Sequence, residues 1–173
     1  FHDSYNCGSM LQAFALQQVV DRLTGKDSEI IDFSNEGQQK LYSVRQPNDS
    51  LKNVIKNIIL APWFKRIARN YESYERFKKN NFRLSNFPIH KSADLSDADY
   101  DIVVAGSDQI WNITIADGDD AYFLPWVKNA RKVAYAPSFG AKNIMDYAAN
   151  PNRYAEYLRD FANLSIRERN GLE

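Results

Sequence analysis

The stretch Asp101-Ile-Val-Val-Ala-Gly-Ser-Asp-Gln-Ile-Trp-Asn112 decides the fold class of this chain. Its apolar run Ile102-Val-Val104 is short and β-branched, which predicts a strand buried on both faces of a parallel sheet. The run ends at Gly106 and is followed by residues with hydrogen-bonding groups: Ser107, Asp108, Gln109, Trp111 and Asn112. Ligands bind at the carboxyl end of strands in open α/β sheets, so we predict a binding loop here. The structural alternative is an Asx-type turn with a core tryptophan.

Helices and strands are predicted to alternate on both sides of this stretch. Apolar residues at helical spacing predict helices over residues 11–23, 51–59, 64–77, 144–149 and 152–161. Apolar runs predict strands at 29–33, 132–136 and 164–166, while 34–48 has the composition of a loop. The first helix has a capping box at Ser9 and Gln12 and a stop at Gly25. This order predicts an α/β fold, a Rossmann-like and mostly parallel sheet with flanking helices.

The length of 173 residues predicts a single Rossmann-like domain over 1–173. A loop and a helix precede the first predicted strand, so we expect a further strand upstream in the natural protein. Cys7 is the only cysteine, which excludes an internal disulfide. The sequence has no apolar run of membrane-spanning length and no signal peptide, so the expected location is cytoplasmic, with at most peripheral membrane association.

Charge argues against nucleic acid as a partner. The 22 Lys and Arg residues balance the 22 Asp and Glu residues, so no global field recruits nucleic acid or an anionic membrane. Basic residues alternate with aromatic ones over 64–79, but Glu72 and Glu75 interrupt the basic face. We interpret this segment as a solvated helix.

Three strand ends are predicted to meet at one edge of the sheet, together with the loop before the first helix: 107–112, 137–140, 167–168 and the loop around Asn6. Asp108 is the carboxylate of the central loop and the candidate general acid or base; its alternative role is to cap or brace the loop. Arg167 can clamp a carboxylate or phosphate, or pair with Glu168. Ser138 is interpreted as a turn hydroxyl, because no Ser-His-Asp pattern accompanies it.

Nucleotide cofactors and metals receive little support. Gly8 allows close backbone approach at a helix start, where an anion can bind, but a Gly-x-Gly-x-x-Gly pattern is lacking. Cys7 is a weak candidate nucleophile, and His2 and His90 have no partners at zinc-site spacing. Asp117-Gly-Asp119 matches the Asp-x-Asp of metal-dependent sugar transferases, although so short a match in an acidic turn arises easily by chance. We predict no metal site.

Several motifs occur in order over nearly the whole chain: Asn6-x-Gly8 with Leu11-Gln-Ala-Phe-Ala-Leu16, Gly106-Ser-Asp-Gln-Ile-Trp-Asn112, Tyr135-Ala-Pro-Ser-Phe-Gly140 and Ser165-Ile-Arg-Glu168. Together they resemble the polysaccharide pyruvyl transferase family. Cys7 departs from the pattern, since an aromatic residue is common at that place. The resemblance implies the amino-terminal half of a two-domain enzyme of glycosyltransferase-B arrangement, inactive without a second Rossmann-like half.

The resemblance also implies an activity. A pyruvyl group moves from phosphoenolpyruvate to a hydroxyl or diol of a sugar, or of a lipid-linked oligosaccharide, in a cell-surface polysaccharide; no metal or other cofactor is required. In this interpretation Asp108 moves a proton, Trp111 stacks on a sugar ring and Arg167 neutralises donor charge. The remaining predicted substrate-binding residues are Asn6, Gly8, Gln12, Ser107, Gln109, Asn112, Ser138 and Glu168.

Two other functions stay open at the level of sequence. One is a metal-dependent sugar-nucleotide glycosyltransferase that uses Asp117 and Asp119. The other is a glycan-binding or assembly module without catalysis. The identity of the acceptor sugar is left open in each case.

Overall fold

The computed structural model describes residues 1–169, which divide into two compact units. The amino-terminal unit is His2–Pro88, and the carboxyl-terminal unit is the rest of the described chain together with Phe1. The single domain over 1–173 stays a prediction, and its residues 170–173 lie outside the described residues.

Helices make up most of the amino-terminal unit. They are α1 (Cys7–Thr24), α2 (Glu36–Leu41), α3 (Leu51–Leu60) and α4 (Phe64–Asn81), with a 3₁₀ turn at Ala61–Trp63 between the last two. The predicted helices at 11–23, 51–59 and 64–77 are therefore confirmed. Pro62 lies inside the 3₁₀ turn, where its missing N–H group interrupts the helical ladder.

The start of α1 differs from the prediction. The side-chain oxygen of Asn6 accepts hydrogen bonds from the backbone N–H groups of Gly8, at 2.8 Å, and Ser9, at 3.4 Å. Asn6 is thus the N-cap, and the capping box predicted to begin at Ser9 is wrong. The predicted stop is confirmed, because Gly25 ends the helix in the left-handed region with φ of 66°.

The strand predicted at 29–33 is wrong. This run forms isolated bridges at Ile30, which is parallel to Leu84, and at Phe33, but no continuous strand. Between them the backbone makes a tight turn, since the N–H of Phe33 donates to the carbonyl of Ile31 at 2.7 Å. A turn of this kind ends an extended run, whatever the β-propensity of its side chains.

The loop predicted over 34–48 contains α2. Its N-cap is Asn35, whose side-chain oxygen accepts from the backbone N–H of Gln38 at 2.9 Å. A six-residue helix is too short to reveal its periodicity in sequence, but its cap gives it a local start.

The carboxyl-terminal unit is built on a three-stranded sheet. Its strands are β1 (Ile102–Asp108), β2 (Arg131–Pro137) and β3 (Asn163–Leu164), in that order and all parallel. Helices α5 (Ile144–Tyr147) and α6 (Pro151–Arg159) lie between β2 and β3 in the sequence. The chain is therefore a mixed α/β protein with a small parallel sheet. The strands predicted at 102–104 and 132–136 are confirmed, and the one predicted at 164–166 lies at Asn163–Leu164.

Strand β1 is not buried on both faces as predicted. It is the outer strand of the described sheet, and Ile102 is 47% exposed, while Val103 and Ala105 are buried. Side chains alternate between the two faces of a strand, so the face with Val103 and Ala105 is covered, and the face with Ile102 is partly open to water. The apolar run predicted the strand correctly but not its position in the sheet.

Asp97 fixes the chain where it enters β2. Its Oδ2 accepts hydrogen bonds from the backbone N–H groups of Lys128, Asn129 and Ala130, at 2.8, 2.5 and 2.9 Å. These backbone hydrogen bonds lower the pKa of Asp97 to about 2. The acidic segment before β1 thus contains a structural carboxylate that the sequence did not distinguish from its neighbours.

We expect Asp97→Asn to lower the Tm at neutral pH, because an amide replaces a charged acceptor of three hydrogen bonds. The folded-state pKa is depressed, so this stabilisation is complete above the ordinary carboxyl pKa of 3.8 and is lost as pH falls towards about 2. Thermal melts of both proteins across this range measure the difference.

The matched control is Asp99→Asn, a change at an exposed carboxylate in the same segment. It should leave the Tm unchanged at every pH. Equal melting temperatures for wild type and Asp97→Asn at neutral pH would contradict this role of Asp97.

Candidate functional site

The ends of three parallel segments meet at one edge of the carboxyl-terminal unit. Asp108, the last residue of β1, is in register with Pro137, the last residue of β2. The backbone N–H of Arg167 donates to the carbonyl of Pro137 at 3.1 Å. The predicted strand-end segments of this unit therefore lie side by side. The loop around Asn6 belongs to the other unit, so its approach to this edge stays a prediction.

Ser138 joins the β1 loop to the β2 loop through its backbone. Its N–H donates to the carbonyl of Asp108 at 2.8 Å, and its carbonyl accepts from the N–H of Trp111 at 3.3 Å. The side chain is fully buried, and its Oγ accepts from the N–H of Gly140 at 3.0 Å. The interpretation of Ser138 as a turn hydroxyl agrees with this geometry, and a fully buried hydroxyl is not placed to contact a substrate.

Trp111 lies inside the unit. It is 1% exposed and stacks on Phe123 at 5.2 Å between ring centroids, with Phe139 and Phe161 against it at 5.4 and 5.6 Å. Its Nε1–H donates to the carbonyl of Tyr122 at 2.9 Å, so the indole has a partner for its polar atom. The stacking on a sugar predicted for Trp111 does not fit this packing, because the indole is almost entirely enclosed by the protein.

The amides of Asn112 and Gln109 pair with each other. Asn112 is 7% exposed; its Nδ2 donates to Oε1 of Gln109 at 3.1 Å, and its Oδ1 accepts from N–H and Oγ1 of Thr114 at 3.1 and 2.7 Å. A side chain at Gly140 would collide with the Asn112 amide. Asn112 therefore braces the loop, and of the two amides only Gln109 belongs to an exposed residue.

Ser107 is likewise engaged with the protein. Its Oγ donates to the carbonyl of Ala136 at 2.9 Å, across the β1–β2 pair. This hydrogen bond holds the end of β1 to the end of β2, so Ser107 is another residue whose polar group supports the loop. Its partly exposed side chain still lies at the same edge as Asp108.

The backbone of Asp108 has an uncommon conformation for a residue other than glycine. Its φ of 74° lies in the left-handed region, and its Oδ1 accepts from the N–H of Gln109 at 2.9 Å. The side chain is partly exposed at the sheet edge. The bracing role considered from the sequence is thus present, and the carboxylate also reaches the surface where the strand ends meet.

A second carboxylate lies near Asp108. Burial raises the pKa of Asp117, which is 4% exposed, and the negative charge of Asp108 contributes in the same direction. Sequence reasoning considered Asp117 only as a metal ligand and missed this relation. Nothing in the spacing of the two residues indicates it, because the intervening loop sets the distance.

Arg167 pairs with Glu168, which is the alternative role considered from the sequence. Its Nε donates to Oε1 of Glu168 at 3.1 Å, and 47% of the Arg167 side chain and 33% of the Glu168 side chain are exposed. A half-exposed guanidinium beside the ends of β1 and β2 remains available to an anion that replaces or joins Glu168.

A model of the family described as polysaccharide pyruvyl transferase matches residues 6–173. The chain belongs to the polysaccharide pyruvyl transferase family. No curated protein and no solved structure gave a significant match. The matched range contains every motif on which the resemblance rested, from Asn6 to Glu168.

In this member of the polysaccharide pyruvyl transferase family, the opening loop is occupied by structural contacts. Asn6 and Gly8 form the cap of α1, and Sγ of Cys7 lies 3.2 Å from the hydroxyl of Tyr74. Nε2 of Gln12 is buried and has no hydrogen-bond partner within residues 1–169. An orphaned donor is costly, which distinguishes Gln12, in the second turn of α1, from the predicted site residues Asn6 and Gly8.

His2 is used within the amino-terminal unit. Its Nε2 lies 2.8 Å from Oδ1 of Asp32, and the ring is 5% exposed. Burial lowers the pKa of His2 despite the nearby carboxylate. The histidine therefore serves as a buried polar contact to Asp32.

The Asp-x-Asp segment of this family member is a capped turn. Oδ1 of Asp119 accepts from the N–H of Ala121 at 2.8 Å, at the start of the 3₁₀ turn Asp120–Phe123. Asp120 accepts from the hydroxyl of Tyr154 at 2.8 Å. Within residues 1–169, no group of three or more His, Cys, Asp or Glu side chains is arranged to hold a metal ion.

Gly106 is needed for the close approach of β1 to β2. Its φ is 134°, and a Cβ at this position would collide with the carbonyl of Tyr135 in the backbone of β2. We expect Gly106→Ala to lower the free energy of unfolding by several times the roughly 1 kcal/mol of left-handed strain alone, because the strands must also separate. Chemical denaturation measures the loss.

Gly25→Ala is the matched control. Gly25 also has positive φ, at 66°, but a Cβ added there would meet no atom within 4 Å. This change should cost only the backbone strain. Similar losses for the two variants would show that the approach of Tyr135 does not constrain Gly106.

Proposed function

We propose that this chain takes part in the transfer of a pyruvyl group from phosphoenolpyruvate to a hydroxyl or diol of a polysaccharide sugar. Membership of the polysaccharide pyruvyl transferase family supplies the transferase class and the polysaccharide acceptor. The observation that carries the proposal further is the meeting of Asp108 with the ends of β2 and of the Arg167 segment at one sheet edge. A carboxylate and a guanidinium together suit an anionic donor and a hydroxyl acceptor.

The chemistry moves a proton to the donor's methylene carbon and removes protons from the attacking hydroxyl groups. The methylene carbon of the enol phosphate gains a proton, which leaves an oxocarbenium-like carbon that a sugar hydroxyl attacks. The attacking hydroxyl loses its proton, and inorganic phosphate departs with the donor's bridging oxygen. Loss of phosphate makes the carbon oxocarbenium-like again. A second hydroxyl then attacks it and loses its proton to give a ketal, or the methyl group loses a proton to give an enol ether. A general acid or base that is held near the reacting atoms lowers these barriers.

Asp108 is the residue assigned to this proton transfer. It is partly exposed at the sheet edge, and the backbone hydrogen bond from Ser138 fixes its position. Asp117 is nearby, and its burial and the charge of Asp108 both raise its pKa. The carboxylate of Asp108 is the group assigned to accept the proton of a sugar hydroxyl.

Arg167 is assigned to the donor. Its guanidinium is half exposed and is held at the edge by its own backbone hydrogen bond to Pro137. A planar guanidinium binds phosphate or carboxylate through two parallel hydrogen bonds, and phosphoenolpyruvate carries both groups. Gln109 is exposed, and we assign its side chain to hydrogen bonding with a sugar hydroxyl. A second Rossmann-like half, in a glycosyltransferase-B arrangement, would complete the donor site.

We expect Asp108→Asn to reduce pyruvyl transfer by about a hundredfold to ten-thousandfold, since an amide cannot exchange the proton. The measurement is acceptor-dependent phosphate release from phosphoenolpyruvate by the full-length enzyme, with Tm as the check on folding. The amide retains an oxygen that can accept the hydrogen bond from Gln109, so the loop should persist.

Asp146→Asn, at an exposed carboxylate in α5, is the control and should leave turnover unchanged. Near-normal turnover of Asp108→Asn would remove Asp108 from the mechanism. Acceptor binding by a folded wild-type enzyme without any turnover would point to a glycan-binding module and contradict the proposed function.

A further inference from the structure

Helix α3 carries its apolar stripe on the outside. Four large side chains lie at i, i+4, i+7 and i+8, which places them on one face of the helix: Leu51 is 76% exposed, Ile55 48%, Ile58 68% and Ile59 61%. No residue of α3 is buried. Trp63, in the 3₁₀ turn that continues the helix, is 50% exposed. A contiguous apolar face of this kind marks an interaction surface.

The opposite side of α3 is attached to its own unit by polar contacts. Oδ1 of Asn57 accepts from the N–H of Gln46 at 2.9 Å, and Nδ2 of Asn57 donates to the carbonyl of Gln46 at 2.8 Å and to Oδ1 of Asn48 at 3.0 Å. At 100° per residue, Asn57 points away from the apolar stripe. Val54 and Leu60 are also half-buried, so α3 packs on its unit through these residues and Asn57, and the apolar stripe stays exposed.

The surface around the stripe is positively charged. From Ser50 to Tyr71 the chain contains no Asp or Glu and has five exposed basic residues: Lys52, Lys56, Lys65, Arg66 and Arg69. Lys52 and Lys56 border the stripe on the helix surface, about 20° and 60° beyond Ile59. The net charge of the whole chain is zero, so this is a local concentration of positive charge.

We propose that α3 and the turn Ala61–Trp63 lie on the surface of an anionic lipid bilayer. The apolar stripe enters the boundary between headgroups and acyl chains, and the bordering lysines contact lipid phosphates. Trp63 suits this depth, because an indole has an apolar body and one polar group. The ten residues of α3 are too few to cross a bilayer, so the helix lies in the plane of the surface.

Charge complementarity favours a bilayer over a protein partner. A protein interface is depleted in lysine, whereas an interfacial helix combines an apolar face with lysine and arginine beside it. None of the helices within residues 1–169 is long and apolar enough to cross a membrane. A lipid-linked acceptor would be presented at the same bilayer surface; only this last point rests on the proposed function.

The test is flotation of the full-length protein with vesicles. The protein should float with vesicles of phosphatidylcholine and phosphatidylglycerol, and less with phosphatidylcholine alone. High salt should release it, because the electrostatic attraction is screened. Lys52→Gln with Lys56→Gln should weaken binding to the anionic vesicles about 30-fold, since each basic residue near such a surface contributes a factor of about five.

The apolar stripe is tested by Ile58→Ser with Ile59→Ser, which should abolish flotation. Leu23→Ser is the matched control: Leu23 is 79% exposed on α1, and its loss should leave vesicle binding unchanged. Lys91→Gln, at an exposed lysine outside the basic segment, is the control for charge. Tm values establish that all variants are folded.

Wild-type protein that does not float with anionic vesicles would overturn the proposal, and so would α3 variants that float like wild type. If the isoleucine variant instead converts a wild-type dimer that ignores vesicles into a monomer, the surface joins two copies of the chain and the membrane assignment is wrong. Turnover with a soluble glycan acceptor separates the two proposals. This turnover should be the same in the α3 variants as in wild type. If the proposed function is wrong, wild type itself shows no such turnover.

Discussion

The buried indole of Trp111 is the contact on which the strand-edge arrangement depends. It packs against Phe123, Phe139 and Phe161, which come from three separate segments of the carboxyl-terminal unit. Its backbone N–H reaches Ser138, whose own N–H reaches Asp108. The indole thus anchors the β1 loop in the core, and the backbone hydrogen bonds pass this rigidity to the carboxylate. A positive φ at Asp108 persists because both ends of the loop are held.

The sequence predicted well those features that are local and periodic. The β-branched run at 102–104 and the run at 132–136 are recognisable as strands because their side chains must suit a pleated surface. The order of elements then predicts their parallel pairing. The run at 29–33 also contains β-branched and aromatic residues, yet it forms only isolated bridges, because its backbone makes a tight turn between Ile31 and Phe33. Propensity cannot predict such a turn, which depends on contacts with distant segments.

The roles of the polar residues at the site were predicted less well, for a physical reason. The sequence places Trp111 and Asn112 in the right loop, but whether they face a ligand or the core depends on partners elsewhere in the chain. Asp97 and Asp117 are equivalent to other acidic residues in the sequence. Asp97 accepts hydrogen bonds from three backbone N–H groups, which lower its pKa. Asp117 is buried away from water, which raises its pKa. These differences appear only when the fold brings the groups together.

The net charge of the whole chain concealed a local concentration of positive charge. The balanced total charge argues against an anionic surface as partner, but the segment 50–71 has only basic charges. The periodicity of α3 correctly predicted a helix and an apolar face, while the hydrogen bonds of Asn57 decide that this face points outward. An amphipathic pattern defines two faces without saying which one is packed.

Measurement of both the Tm and the acceptor KM of a Trp111→Phe enzyme tests most directly whether this indole holds the loop or touches the sugar. Phenylalanine keeps an aromatic ring in the cluster but removes the hydrogen bond to the carbonyl of Tyr122. If the indole positions the Asp108 loop, both the Tm and kcat fall and the acceptor KM is unchanged. The fall in Tm should correspond to about 1–3 kcal/mol of lost stability. A raised acceptor KM with an unchanged Tm would mean that Trp111 binds the sugar, and would contradict the structural role assigned to the indole.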